Sequence, residues 1–191
     1  MISDAPQRPS ADTGGLIERM RWVGARGAIL DGERRYLMLR ADVLMGLFRE
    51  MPEGLRRPAM LALAASVRKN GGRSAQAYLA EAGSSPERLL DTIVRYSPEL
   101  GWGRWHVGAR GESIEVTVES SPFAEGFGPS AEPVCYAIVG MLQAVGTFVF
   151  GRAASVIETC CAAQEGARHC VFRVAPTAAA DAGPPGEPRP S

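Results

Sequence analysis

An α+β fold, with helices packed on an antiparallel sheet, is what this sequence predicts, and three observations carry the prediction. Apolar residues recur at helical spacing through residues 41–99, and they alternate at period two in residues 102–108 and 113–119 around a glycine-containing turn. Residues 133–151 carry no charge and lead into two further extended segments, 155–161 and 169–174. Helical and antiparallel segments that do not alternate as βαβ units are the pattern of the α+β class.

The elements follow in order. Leu16 to Val23 read as a short helix, and residues 27–30, then Asp31-Gly32, then residues 34–39 read as a hairpin, because Asp-Gly supplies the positive φ angles of a tight turn. Val43, Leu44, Leu47 and Phe48, then Met60, Leu61, Leu63, Ala64 and Val67, trace two or three helices over residues 41–82, punctuated by Pro52 and the Gly71-Gly72 pair. Ser84 or Ser85 before Pro86 caps a further helix whose buried stripe is Leu89, Leu90, Ile93 and Val94, ending near Gly101. Residues 121–133 read as a loop. The uncharged run that follows reads as a buried central helix rather than a membrane span. Gln143, Thr147, its glycines and the lack of basic clusters at its flanks all oppose insertion.

A length of 191 residues suits one domain, and 46% hydrophobic residues suffice for a core. Residues 15–174 are expected to form that domain, between a polar N-terminal tail (1–14) and a Pro/Ala-rich C-terminal tail (175–191), neither able to pack a core. Lys and Arg total 21 and so do Asp and Glu, so no net field gathers phosphate backbones, and direct nucleic-acid binding is not expected. Four cysteines are too few for a disulfide scaffold, and residues 1–15 contain no apolar run of a signal peptide; a cytoplasmic location is expected.

All four cysteines fall in the last third: Cys135 at the start of the central helix, Cys160 and Cys161 on the next strand, Cys170 on the last, with Glu158 among them. Thiolates with one carboxylate suit a structural zinc ion, which takes four N, S or O ligands in a tetrahedron. Three thiolates and a carboxylate around a dication leave a formal charge of −2, for which Arg152, Arg168 and His169 are the nearby donors. Buried, unreactive cysteines are the alternative, since free Cys packs as a small hydrophobe and no Cys-x-x-Cys pair is present.

Residues 32–47, the LGWGRW turn, VTVESSPF, and the stretches EPVCYAIVGMLQAVGTFVFGR and IETCCAAQEGARHCVFRV together resemble the 4-vinyl reductase domain family over residues 24–174. That family is named for a protein of bacteriochlorophyll synthesis and includes the aromatic-sensing domains of phenol- and xylene-responsive activators. Its fold is shared with vesicle-tethering transport-protein-particle (TRAPP) subunits. The resemblance implies an often dimeric domain that binds small ligands, with zinc held at Cys135, Glu158, Cys161 and Cys170. Regular strand geometry would favour Cys160 over Cys161, because Glu158 and Cys160 share a face; the family spacing favours Cys161, which then needs a bulge or strand end to re-aim it. The phenol sensors' polar pair, a His and a Trp, falls near Gly101 and Val118 here, so a larger or less polar ligand is expected, a hydrocarbon or a tetrapyrrole.

Tyr36, Trp102, Trp105, His106, Phe123, Tyr136 and Met141 are the candidate ligand-binding residues, each of which could equally be plain core or surface. Catalytic motifs are missing: no dinucleotide loop, nucleophile elbow, phosphate loop or paired-His metal motif occurs, and no catalytic residue is assigned. The expectation is a stand-alone binding or sensing domain with structural zinc. A chlorophyllide-binding protein of bacteriochlorophyll synthesis and a structural adaptor are the alternatives. Homodimerisation is expected through the small residues Gly140, Ala144 and Gly146.

Overall fold

The computed structural model describes residues 15–81 and 85–177. The tails expected at residues 1–14 and beyond residue 177 lie outside the described residues, as does Ser84. Helix α1 (Leu16–Arg19) is a single turn, after which the chain extends into β1 (Arg21–Val23), so the helix read over residues 16–23 ends early. The cause is pairing: Arg21, Trp22 and Val23 form an antiparallel ladder with β2 (Ala28–Asp31). Strand β3 (Arg34–Tyr36) closes a three-stranded meander ordered β1-β2-β3. The hairpin's two turn residues are Gly32, at φ +60°, and Glu33, one step later than Asp31-Gly32. Asp31 is instead a strand residue, buried and ion-paired with Arg34 at 2.7 Å.

Helix α2 (Ala41–Arg49) buries Met45 and Phe48. Helix α3 (Glu53–Glu81) then runs unbroken through Gly71-Gly72, where the sequence suggested an interruption. Those glycines form a notch rather than a break. A Cβ on Gly71 would meet the Met141 side chain at 2.9 Å and one on Gly72 would meet Ala144 Cβ at 3.3 Å, both on the central helix α6 (Tyr136–Phe150). Helix α4 (Pro86–Glu99) opens at Pro86 and stops before Gly101.

The main sheet is antiparallel in the order β4-β5-β7-β6, with β4 (Arg104–Arg110), β5 (Ser113–Glu119), β6 (Ala154–Cys160) and β7 (Cys170–Pro176). The last strand passes residue 174, where the domain was expected to end. Trp105, Val116, Val118, Phe172 and Val174 are buried together with Ile138 and Leu142 of α6, so the core lies between sheet and central helix. Residues 121–133 are not all loop: α5 (Pro122–Phe127) is capped by Ser121, whose Oγ accepts from the Ala124 N–H, with Pro122 at the favoured first position. Among the described residues no helix is long and apolar enough to cross a membrane.

The small residues of α6 face inward, which corrects their expected role as a contact between copies. A Cβ on Gly140 would stand 2.2 Å from the Ala64 carbonyl oxygen, and one on Gly146 would meet Ala154 and Val174 at 2.7 and 2.8 Å. Ala144 is buried as well. Overpacking at a backbone contact cannot be relieved by a rotamer change, so Gly140→Ala should destabilise the protein by about 3 kcal/mol. The denaturation midpoint in urea reads that loss.

Candidate metal centre

Four chain positions converge on one point. Cys135 is the N-cap of α6, Glu158 lies on β6, Cys161 follows the end of β6, and Cys170 opens β7. One ligand atom from each lies within 4.8 Å of every other, and the three cysteines are wholly buried. Cys135 Sγ stands 3.9 Å from Cys161 Sγ and 3.6 Å from Cys170 Sγ. A tetrahedral zinc site with Zn–S bonds of about 2.3 Å would set its sulfurs about 3.8 Å apart. The pocket therefore already has the spacing that such an ion requires.

The local fold explains why Cys161 and not Cys160 reaches the cluster. Glu158 pairs with Phe172 but Cys160 pairs with Val171, so the β6–β7 ladder slips at Thr159. That extra residue reverses the side-chain alternation beyond it, which puts Cys161 on the side of Glu158 and turns Cys160 outward. The Cys160 thiol points to the His169 carbonyl oxygen, at 3.5 Å, and stays half-exposed.

The electrostatics are those of a site built for a cation. Glu158 Oε2 accepts from the Cys135 N–H at 3.1 Å, while its Oε1 is buried with no hydrogen-bond partner. Burial, then the neighbouring Cys161, raises the Glu158 pKa to about 8. Sulfur contacts with Cys161 and Cys170, with burial added, push the Cys135 thiol far above the ordinary thiol range. The Cys170 thiol is lowered to about 4 by hydrogen bonding from Cys135 and Cys161, helped by the Ala162 N–H at 3.3 Å. So many acids crowded into one dry pocket resist ionising together, and a dication reverses that resistance by deprotonating the thiols that bind it. The orphaned Oε1 and the sulfur spacing both fit a metal ion. Donors to the sulfurs come from Ser121 Oγ, 3.3 Å from Cys135 Sγ, and from the Ala162 amide. Arg152, Arg168 and His169 are exposed and make no contact with the cluster among the described residues.

Beside the cluster an open groove of about 710 Å³ runs between α3, α6 and β6, walled by Leu61, Ala64, Tyr136, Val139, Val156 and Glu158 among others. Of the candidate ligand residues, Tyr136 alone lines it. Trp102, Trp105 and Phe123 pack in the core, with Trp102 edge-on to Phe123 at 5.0 Å and the Trp105 indole N–H donating to the Trp102 carbonyl. Met141 fills the notch at Gly71. Tyr36 lies on the separate meander, and His106 is exposed on β4, 3.6 Å from Glu119. The α3 side of the groove is absent from the residues expected at a binding site. Arg57, Leu61, Ala64, Ala65 and Arg68 do recur at helical spacing, but that pattern marks any helix face, and none of the five is aromatic.

Residues 114–176 match the family model of the vinyl-4-reductase domain. No curated protein matches the chain. Among solved structures, the phenol-responsive sensory domain of the transcription activator PoxR, with phenol, superposes with a TM-score of 0.71 at 22% identity, over 84% of this chain and 86% of that one. A trafficking protein particle complex subunit 3 from Naegleria fowleri, covalently bound to palmitic acid, gives a TM-score of 0.50 at 13% identity over 71% and 93%. A vinyl-4-reductase family protein from Methanocaldococcus jannaschii gives 0.46 at 14% identity over 70% and 88%. At these identities the likeness is one of fold. From β5 through both cysteine-bearing strands, residues 114–176 are a vinyl-4-reductase domain, of the family that the sequence resembles.

Proposed function

We propose that this chain is a small-molecule-binding sensory module that works in the cytoplasm as a homodimer, with a structural zinc ion held by Cys135, Glu158, Cys161 and Cys170. The observation that carries the reading is Glu158, which belongs both to the four-atom cluster and to the wall of the groove. Zinc supplies a cross-link between α6, β6 and β7. Four protein ligands would close its coordination sphere and leave no open position for catalysis. By fixing Glu158 and the bulge, the clamp keeps one wall of the groove rigid, so that an apolar or aromatic molecule meets a preformed surface. The phenol sensor's shared fold supports the same reading. All four cysteines are free thiols, as suits a reducing compartment.

Dimerisation is supported by the N-terminal part of the chain. Of the eleven large apolar residues that stand exposed among the described residues, seven lie between positions 17 and 47, including Leu37 at 82% and Met38 at 73% exposure. A patch of that kind marks an interaction surface, and two copies of one uncharged protein do not repel.

Native mass spectrometry of protein from its own host tests these claims together. The expected species is a dimer with one zinc per chain and a non-protein mass that is lost on denaturation. Leu37→Asp with Met38→Asp should give a monomer that keeps its zinc. A wild-type monomer, or a chain that takes up no zinc, would contradict the reading. Absorbance after exposure to porphyrins tells a tetrapyrrole from a smaller ligand.

A further inference from the structure

The two ends of the groove differ, and the difference points to a class of ligand. Gly140 rests on Ala64 and Ala144 on Gly72, so α3 and α6 lie side by side and run in the same direction. Arg68 and Gln143, both in the groove wall, fall between those two contacts and share one end. Arg57, Glu132 and Tyr136 fall before them, towards Cys135, and share the other end with Glu158. Along α3 the two arginines are eleven positions apart, roughly 16 Å at about 1.5 Å per residue. Between them the floor is apolar: Leu61, Ala64, Ala65, Val139, Val156 and Ile157.

Neither arginine has a hydrogen bond, ion pair or ring contact among the described residues, nor has the Gln143 side-chain amide. At the Cys135 end Glu132 and Glu158 supply negative charge of their own. At the opposite end a guanidinium and a carboxamide face the groove with no acidic residue in its wall. An apolar trough that closes on two unmatched donors is complementary to a molecule with an apolar body and one anionic head.

We infer that the groove takes an amphipathic organic anion, a carboxylate or its equivalent, whose head is bound by Arg68 and Gln143 and whose apolar body lies along Leu61, Ala64, Val139 and Val156. The inference rests on the small-molecule reading above and names the class of ligand. It replaces the expected neutral hydrocarbon with a charged molecule. Arg57 is not the head's partner, because Glu132 and Glu158 already balance that end.

The test is calorimetric titration of the full chain, as purified, with 2-naphthoate and with the neutral 2-naphthalenemethanol. The wild type should bind the anion more tightly than the alcohol. Arg68→Gln should weaken naphthoate about tenfold and leave the alcohol nearly unchanged, the loss of one charge-assisted contact. Arg57→Gln should change either probe by less than about twofold. Ala65→Trp, at an exposed position that can accept the ring without disturbing the core, should block both probes. Equal wild-type affinities, or naphthoate binding that Arg68→Gln does not weaken, would overturn the anion assignment and leave a binding module. Probes unaffected by Ala65→Trp would move the ligand site elsewhere, again overturning this inference alone. If neither probe binds at millimolar concentration, both the inference and the small-molecule reading fail.

Discussion

Stripping the metal with a chelator should lower the unfolding temperature of this protein by about 10 °C or more. A ligand present at a thousand times its dissociation constant stabilises the folded state by about 4 kcal/mol. In a domain of this size each kcal/mol shifts the midpoint by roughly 2–4 °C. The effect should be large because the cluster joins elements far apart in sequence: Cys135 precedes Cys161 by 26 positions and Cys170 by 35. Without the ion, three buried thiols and a carboxyl are left in a pocket where Glu158 Oε1 has no partner. Differential scanning fluorimetry before and after chelation, followed by zinc re-addition, measures the shift and its reversal. A midpoint that does not move would mean that the cysteines are only packing groups.

The class of the fold and most of its elements were legible in the sequence because their signals are local. Pro86 opens α4, period-two alternation marks β4 and β5, and the uncharged run from 136 to 150 is the central helix. Elsewhere a tertiary contact had outweighed a local preference. Gly71-Gly72 looked like a helix break, yet they let α3 approach Met141 and Ala144, and packing against α6 compensates for their poor helix propensity. Gly140 and Gly146 looked available to a neighbour, yet Ala64 and Val174 fill the space over them. Ser121-Pro122 did carry a readable helix start, a cap followed by a first-turn proline, but six residues are too short for a periodic apolar pattern. The groove was harder to see. Its polar end is made by Arg68 and Gln143 from helices that meet only in the folded chain, and exposed arginines on a helix ordinarily signal nothing beyond a solvated face.

The second large effect separates two adjacent cysteines. Cys161→Ser should reduce zinc affinity by roughly three orders of magnitude, since it removes one of four ligands from a site whose total binding energy is about 10–16 kcal/mol. Cys160→Ser should leave zinc bound and the unfolding temperature within a degree or two. The two thiols are neighbours in sequence and of one chemical type, so only geometry can divide them. The slip at Thr159 turns Cys161 into the cluster, 3.9 Å from Cys135, and Cys160 towards the His169 carbonyl. Zinc content by atomic emission, with a competing chelator to rank affinity, reads the difference directly. Deleting Thr159 offers a further check. A strand without the extra residue alternates regularly, with Glu158 inward, Cys160 outward and Cys161 inward, so the shortened protein should still depend on Cys161 for its zinc. Zinc retained in the Cys161→Ser protein, or lost in the Cys160→Ser protein, would show that the bulge does not select the ligand.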